Sequence, residues 1–117
     1  MCHVLIIEDE PLVAMAIEDI LAREGATSFE IVSTEKDAID SAMTNEPSVI
    51  TSDVKLLEGT GPVAVAQIHQ RLGPIPVIFI TGTPEDCTPC NPPGSVVTKP
   101  FTNQAIIAAY HEVMPSA

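Results

Sequence analysis

The sequence predicts an α/β fold, a doubly wound parallel sheet of five strands with helices on both faces. Short apolar runs alternate along the chain with segments whose apolar residues recur at helical spacing, the pattern of strands joined by crossover helices. The runs are apolar at nearly every position, which is typical of strands buried on both faces of a parallel sheet. Because such crossovers are right-handed, few topologies remain, and we expect the strand order 2-1-3-4-5.

Size and composition predict one domain over residues 1–117. The chain has 117 residues, 45% of them hydrophobic, enough for a single apolar core. Its apolar stretches fall far short of the roughly 20 residues needed to span a bilayer. The amino terminus lacks the positive segment and apolar core of a signal peptide. We therefore expect a cytoplasmic monomer without membrane insertion.

The charge balance indicates which class of partner to expect. The formal net charge is -11, from 16 acidic and 5 basic residues. Nucleic-acid phosphates are bound mainly by clusters of Lys and Arg, so no nucleic-acid partner is expected. Most of the surface carboxylates serve solubility. A partner of this chain is expected to be a protein.

The first strand and helix are predicted from an apolar run and its flanking signals. Val4 to Ile7 form the run, and a helix follows from about Pro11 to Glu24. Proline is tolerated in the first turn of a helix, and Gly25 suits a carboxyl-terminal cap. The residues at helical spacing are Leu12, Val13, Ala16, Ile17, Ile20 and Leu21.

The next elements are a strand, a helix and a strand. Phe29 to Val32 predict the second strand. Thr34 and Asp37 form a capping-box pattern, which predicts the start of a second helix. The apolar residues of that helix are Ala38, Ile39, Ala42 and Met43. Pro47 closes the connection to a third strand at Ser48 to Ser52.

The middle of the chain predicts a third helix and a fourth strand. A loop at Val54 to Gly61 leads to a helix at Pro62 to Leu72, and a strand follows at Pro76 to Ile80. The inner face of this helix is expected to carry Val65, Ile68 and Leu72. The segment from Gly82 to Gly94 contains Pro84, Pro89, Pro92 and Pro93. An interior proline costs a helix about 3 kcal/mol or more, so we predict a shortened or irregular fourth helix.

The last elements are a fifth strand near Ser95 to Thr98 and a helix from about Thr102 to Val113. The residues of this helix that are expected to face inward are Ile106, Tyr110 and Val113. The chain therefore supplies the fifth strand that the predicted sheet needs.

Four of these strands end on residues with metal or phosphate chemistry. Glu8 and Asp9 follow the first strand, and Asp53 follows the third. Thr81 follows the fourth strand and Lys99 the fifth. Open α/β sheets bind ligands at the carboxyl ends of their strands, and the predicted order sets the first and third strands side by side. We expect the three carboxylates to converge there.

Three converging carboxylates need a counter-charge. Two unit charges about 5 Å apart repel by roughly 3 kcal/mol at an effective dielectric near 20. Mg²⁺ prefers oxygen ligands and is usually held by one or two carboxylates together with phosphate oxygens. An isolated Glu-Asp pair would indicate a solvated loop end, but Asp53, Thr81 and Lys99 reach the same edge. The sequence thus predicts a Mg²⁺ and phosphate site.

Ordered motifs carry a family resemblance over essentially the whole chain. They are Val-Leu-Ile-Ile-Glu-Asp-Glu-Pro at 4–11, Asp-Val-Lys-Leu at 53–56, Gly-Thr-Gly at 59–61, Thr81, and Lys-Pro-Phe at 99–101. In this order they resemble the receiver domain of two-component response regulators. The resemblance implies a flavodoxin-like receiver fold and a phosphorelay function.

The resemblance also implies roles for individual residues. Asp53 would be the phospho-acceptor, a carboxylate nucleophile toward a phosphohistidine. Asp9 would be a direct ligand of Mg²⁺, with Glu8 assisting and the backbone carbonyl of Lys55 as a further ligand. Lys99 would offset charge on the phosphoryl oxygens, and its bond to Pro100 would be cis.

A phosphoryl group adds about two negative charges, so contacts to it would carry the signal. Thr81 would donate a hydrogen bond to the group, and its movement would shift Gly82 and the surface near Val96 and Tyr110. Val96 stands where the family often has an aromatic switch residue, so that switch lacks its residue here. Thr83 and Lys55 would flank the path of attacking water.

The predicted function is that of a single-domain response regulator. The chain ends three residues after Met114, so no output domain is expected. The donor would be a sensor histidine kinase or a histidine phosphotransfer protein, and the output a phosphorylation-dependent protein contact or phosphoryl shuttling. Some such regulators belong to bacterial stress-response relays. Phe79 to Gly82 resemble an atypical subgroup in which Gly follows the Thr.

Two other classes are open on sequence grounds. A small Mg²⁺-dependent phosphohydrolase would share the aspartyl nucleophile, although Lys55 is a poor general acid. An FMN-binding module would need a Ser/Thr/Gly phosphate loop where this chain has Glu8, Asp9 and Glu10.

The remaining cysteines and histidines predict no further site. Cys87 and Cys90 are interpreted as reduced loop cysteines rather than a redox pair or half of a zinc site, because no second Cys-x-x-Cys is present. His3, His69 and His111 lack ligand spacing and are interpreted as ordinary polar positions.

Overall fold

The fold is known from a computed structural model that describes residues 2–86 and 94–114. The strands are β1 His3–Ile7, β2 Ser28–Val32, β3 Val49–Ser52, β4 Val77–Thr81 and β5 Gly94–Thr98. The α-helices of the described residues are α1 Pro11–Arg23, α2 Glu35–Thr44, α3 Gly61–Leu72 and α4 Asn103–Val113. Nearly all of these bounds lie within one residue of the predicted ones.

The strands form one parallel sheet in the order β2-β1-β3-β4-β5, which confirms the predicted topology. β1 pairs with both β2 and β3, and its register sets Ile7 opposite Ser52. The Asp53 N–H donates to the Ile7 carbonyl over 2.9 Å, which extends this pairing by one residue. The residues that follow β1 and β3 therefore leave the sheet at the same level.

The apolar core lies in two layers, one on each face of the sheet. Alternate strand residues point to opposite faces, so each central strand contributes to both layers. The layer under α1 and α4 includes Val4, Ile6, Ile78, Ile80, Ile17 and Ile106. The layer under α2 and α3 includes Leu5, Ile7, Ile50, Phe79 and Ile68. Full burial of such a side chain contributes about 1.5–3 kcal/mol, so the sheet is a stable base for its edge residues.

Threonine side chains cap three of the helices. Thr34 accepts a hydrogen bond from the Asp37 N–H at the start of α2, as the capping-box pattern predicts. Thr60 and Thr102 cap α3 and α4 in the same way. Each cap satisfies a backbone donor that the helix leaves free, a contribution of about 1 kcal/mol.

The predicted apolar face of α1 was wrong at two residues. Leu12 is 81% exposed and Ala16 is exposed, whereas Ala14, Ile17, Ile20 and Leu21 are buried. At 100° per residue, Leu12 lies about 140° around the helix from Ile17, which turns it away from the sheet. On α2, Met43 is partly exposed, at 38%.

The segment after β4 begins with Gly82 in a bend, followed by a single 3-10 turn at Pro84–Asp86. This agrees with a shortened element over the described part of the segment. Residues 87–93, and with them Cys87 and Cys90, lie outside the described residues. Among the helices that the structure describes, none is long and apolar enough to cross a membrane.

Candidate functional site

Asp53 lies at the carboxyl end of β3, with its side chain almost completely buried. Its Oδ1 accepts a hydrogen bond from the Val54 N–H over 2.7 Å. Its Oδ2 accepts one from Lys99 Nζ over 2.9 Å. Both carboxylate oxygens are therefore held, and the group is fixed at the edge of the sheet.

The Lys99 ammonium is the central cation of this edge. Its Nζ lies 2.9 Å from Asp53 Oδ2, 3.1 Å from Glu8 Oε1 and 3.3 Å from Glu10 Oε1. Burial by itself lowers the pKa of Lys99, but its contacts with Asp53 and Glu8 outweigh it and raise the pKa above its ordinary value. The ammonium stays charged and neutralises part of the surrounding carboxylate charge.

Backbone contacts bring Lys99 to this position. The Lys99 N–H donates to the Thr81 carbonyl over 2.8 Å, so the residue after β5 is attached to the end of β4. The bond between Lys99 and Pro100 is cis, the isomer that the family resemblance implies. The side chain is 16% exposed and spans the distance from the end of β5 to the ends of β1 and β3.

Glu8 is a buried carboxylate with a perturbed pKa. Its Oε2 accepts a hydrogen bond from the Glu10 N–H over 3.2 Å. Burial and the nearby Asp53 charge raise the pKa of Glu8 to about 7, with Lys99 acting in the opposite direction. At neutral pH this residue therefore lies close to its titration point, chiefly because its carboxylate is buried.

Four carboxylates come together as a cluster of oxygen donors. Glu8, Asp9, Glu10 and Asp53 can each offer an oxygen, and these atoms lie within 4.8 Å of one another. The Lys99 ammonium supplies one positive charge against these four carboxylates. Oxygen-only donors with this charge fit a hard divalent cation such as Mg²⁺. The structure thus brings together the three predicted carboxylates and adds Glu10, which the sequence prediction did not assign.

Thr81 lies close to the site, and its hydroxyl contacts Thr83. Its side chain is buried, and its hydroxyl accepts a hydrogen bond from the Thr83 N–H over 3.0 Å. The Thr83 hydroxyl lies 3.2 Å away from it. Within the described residues, the link between Thr81 and the carboxylate cluster runs through its backbone carbonyl and Lys99.

Two small residues fix the backbone of the acceptor. The Ser52 hydroxyl donates a hydrogen bond to the Asp53 carbonyl over 2.8 Å. The Gly61 N–H donates to the Val54 carbonyl over 2.8 Å, and a Cβ on Gly61 would overlap the Asp53 carbonyl oxygen. The first turn of α3 is thereby packed directly against the residue that carries the carboxylate.

The other predicted residues lie around this centre. Lys55 is exposed and forms an isolated bridge with Thr60 across the loop after β3, and its role as a metal ligand stays a prediction. Gly82 is exposed directly after β4, and Val96 is exposed on β5. Tyr110 is buried away from the carboxylates, with its hydroxyl 3.3 Å from Cys2 Sγ, and burial followed by this contact raises its pKa to about 12.

Sequence reasoning missed Glu10, Ser52, Gly61 and the Thr81–Thr83 contact. Glu10 could have been found, because it continues the acidic run after β1. Gly61 was part of a matching motif but had no assigned role. Its role depends on how closely two backbone segments approach, and no residue pattern reports that distance.

Comparison with known proteins identifies the family of this chain and several of its relatives. The sequence model of the response regulator receiver domain family matches residues 4–111. The phyllosphere-induced regulator PhyR of Methylorubrum extorquens is 31% identical over 115 residues, which are 96% of this chain and 43% of PhyR. The chain therefore spans less than half of that relative.

Solved structures agree with this match. The solution structure of the Erythrobacter litoralis PhyR receiver domain has a TM-score of 0.85 at 30% identity, and the match covers 99% of this chain and 95% of that one. The crystal structure of PhyR from Brucella abortus has a TM-score of 0.82 at 34% identity, over 96% of this chain and 47% of that one.

Proposed function

The chain belongs to the response regulator receiver domain family, and from that premise we propose that Asp53 accepts a phosphoryl group from a phosphohistidine. The donor is a sensor histidine kinase or a histidine phosphotransfer protein. The observation that carries the proposal is the contact of the Asp53 carboxylate with the Lys99 ammonium at 2.9 Å. This contact supports the proposal, because the proposed nucleophile lies beside a cation that could bind its phosphoryl group.

The transfer replaces one bond by another. An Asp53 carboxylate oxygen forms a bond to phosphorus as the bond from phosphorus to the donor imidazole breaks, which leaves an acyl phosphate and a free histidine. Such transfers depend on positioning and on charge stabilisation more than on covalent assistance. The Val54 N–H orients the carboxylate, and Lys99 can donate to a phosphoryl oxygen.

Mg²⁺ is the cofactor of this proposal. Glu8, Asp9 and Asp53 would hold the ion, with the Lys55 carbonyl as a further ligand by family resemblance. When bound, the ion supplies positive charge against the phosphoryl oxygens. The acidic cluster supports this assignment, because its four carboxylates offer oxygen ligands and negative charge to a cation.

Thr81 connects the reaction to an output. Its hydroxyl would leave Thr83 and donate to a phosphoryl oxygen, as the family resemblance implies. Because the Thr81 carbonyl already binds the Lys99 N–H, the two residues would respond together. Gly82 directly follows Thr81, and the exposed Val96 lies on β5 opposite Phe79, two residues before Thr81 on β4. A protein partner would read the surface that contains Gly82 and Val96, or receive the phosphoryl group.

The relatives support a context for this reaction. Solved PhyR structures are described as a stress response regulator, at 32% identity, and as an anti-anti-sigma factor from Bartonella quintana, at 36% identity. The chain covers 45% and 47% of these proteins. We place this receiver in a stress-response phosphorelay in the cytoplasm, with a protein as its target.

The proposal is tested by phosphoryl transfer from phosphorylated kinases in the presence of Mg²⁺. We expect uptake of one phosphoryl group per chain, and none in Asp53→Ala. Asp40→Ala is the matched control, because it removes an exposed carboxylate on α2. Retained labelling of Asp53→Ala would refute the acceptor assignment.

A small phosphohydrolase is the alternative that uses the same nucleophile. It would turn over a phosphomonoester many times with Mg²⁺, whereas a receiver takes up one equivalent from a phosphodonor. Steady release of phosphate from a phosphomonoester, lost in Asp53→Ala, would therefore favour the hydrolase.

A further inference from the structure

The Lys99 ammonium is surrounded by carboxylates. Its Nζ lies within 3.3 Å of an oxygen of Asp53, Glu8 and Glu10. It donates hydrogen bonds to Asp53 and Glu10, whereas Glu8 Oε1 is an ion-pair contact without hydrogen-bond geometry. A phosphoryl oxygen that binds Lys99 enters a site crowded with negative charge, and a carboxylate that leaves makes room for it.

The three carboxylates differ in how easily they can leave. Asp53 is itself the acceptor, so it stays beside Lys99 when it carries the phosphoryl group. Glu8 has a side chain that is 1% exposed, and its other oxygen accepts the Glu10 N–H. The Glu10 side chain is 62% exposed and has the longest of the three contacts, 3.3 Å.

We propose that Glu10 is a displaceable counter-ion of Lys99, a positioning residue that holds the ammonium before phosphorylation and gives up its place to a phosphoryl oxygen. This inference rests on the proposed function of Asp53. Water can solvate the Glu10 carboxylate as soon as it leaves, whereas a Glu8 carboxylate displaced from Lys99 would stay buried without its cation.

The proposal predicts that Glu10 slows phosphoryl uptake. Its carboxylate occupies one Lys99 donor, and its negative charge repels an approaching phosphoryl group. Exposed ion pairs are weak, so we expect Glu10→Gln to accelerate uptake by about two- to fivefold. Salt screens exposed charges, so the difference from the wild type should shrink as ionic strength rises.

The first experiment uses acetyl phosphate with Mg²⁺ as the donor and intact-protein mass as the measurement. The phosphoryl group passes from the acetate oxygen to an Asp53 oxygen, and acetate leaves. Glu10→Gln and the control Glu112→Gln are compared with the wild type, since Glu112 is an exposed residue near the end of α4. Faster uptake in Glu10→Gln alone supports the proposal. Equal or slower uptake overturns it, including slower uptake caused by weaker Mg²⁺ binding.

The second experiment needs no phosphodonor. The hydrogen-exchange rate of the Lys99 ammonium is measured by ¹⁵N NMR in the wild type, Glu10→Gln and Glu10→Ala. Faster exchange in both variants is expected, and exchange equal to the wild type overturns the contact. If the wild type takes up no phosphoryl group, the proposed function fails, while the exchange rates still decide whether Glu10 holds Lys99.

Discussion

Gly61 lies against the backbone carbonyl of Asp53 so closely that no Cβ fits between them. The same carbonyl accepts the Ser52 hydroxyl, and the Gly61 N–H donates to the Val54 carbonyl. The acceptor is thus held by the end of β3 on one side and by the first turn of α3 on the other. The position of its carboxylate therefore depends on this close approach.

We expect Gly61→Ala to reduce phosphoryl uptake by about tenfold or more. The added methyl must push Asp53 or α3 away, and a displacement near 1 Å at a reacting group can cost up to about 100-fold in rate. Overpacking of this kind also lowers the free energy of unfolding, typically by about 1–3 kcal/mol. Uptake from acetyl phosphate and urea unfolding measure the two effects.

Gly25→Ala is the control for stability. Gly25 has a φ of 103°, so alanine there is strained, yet its Cβ would meet no atom within 4 Å. This variant should lose stability through its backbone alone and keep wild-type uptake. If both variants reduced uptake equally at matched stability, the contact between Gly61 and Asp53 would not be the cause.

Lys99→Met should destabilise the metal-free protein by about 3 kcal/mol at pH 7. Removal of the ammonium leaves Asp53 buried without a cation, and breaking a buried pair typically costs about 3–5 kcal/mol. Because Lys99 lowers the pKa of Glu8, its loss lets Glu8 take up a proton, which keeps the cost near the lower end. Mg²⁺ should restore much of the loss, because it binds the folded cluster. Urea unfolding in EDTA and in Mg²⁺ measures both effects.

Lys36→Met is the matched control for this variant. Lys36 pairs with Asp40 on the exposed side of α2, and both side chains are mostly in solvent. Such surface pairs contribute at most about 1 kcal/mol. A loss in Lys99→Met no larger than that in Lys36→Met would contradict the view that Lys99 neutralises the cluster.

The stability of the metal-free protein should fall as pH rises from about 4.5 to about 7. An unfolded chain releases the Glu8 proton near pH 4.5, whereas the folded protein keeps it to about pH 7. The folded state binds the extra proton in this window, so each rise in pH favours the unfolded state. A shift of this size corresponds to at most about 3 kcal/mol.

The contribution of Glu8 to the pH dependence of stability is obtained by comparing the wild type with a variant that lacks this carboxyl group. Urea unfolding is measured between pH 4.5 and 7.5 in EDTA for the wild type, Glu8→Gln and Glu46→Gln. The Glu8→Gln variant should lose this pH dependence, and Glu46→Gln should keep it, since Glu46 is exposed. Parallel curves for the wild type and Glu8→Gln would show that the Glu8 pKa is not raised.

The sequence predicted the sheet and most of the carboxylate cluster for one physical reason. Strands such as Val4 to Ile7 are apolar throughout because both faces are covered, and parallel strands end at a common edge. Glu8 and Asp53 could therefore be placed together without coordinates. The resemblance of the ordered motifs to receiver domains pointed to the same edge.

What could not be predicted depends on distances between segments far apart in the chain. The contact of Glu10 with Lys99 joins residues separated by 89 positions, through a long and flexible side chain. The exposure of Leu12 depends on how α1 is rotated about its axis against the sheet. Because α1 has apolar residues on more than one of its faces, the sequence pattern does not determine this rotation. The spacing of residues in the sequence predicts neither the contact of Glu10 with Lys99 nor the exposure of Leu12.

Thr51→Val should raise the free energy of unfolding by about 1 kcal/mol. Thr51 lies at the centre of β3, and its buried hydroxyl has no hydrogen-bond partner among the residues that the structure describes. A buried polar group without a partner costs about 1–3 kcal/mol, and valine has nearly the same shape without that group.

Thr51→Ser separates the hydroxyl from the methyl group. It keeps the unpartnered hydroxyl and removes a buried methyl, so we expect it to lower the free energy of unfolding by about 1 kcal/mol. Both variants should keep wild-type phosphoryl uptake, because within the described part of the chain no hydrogen bond joins the Thr51 hydroxyl to the carboxylate cluster or to Lys99. A loss of stability in Thr51→Val would mean that the hydroxyl does find a partner, such as a buried water, and that β3 depends on it.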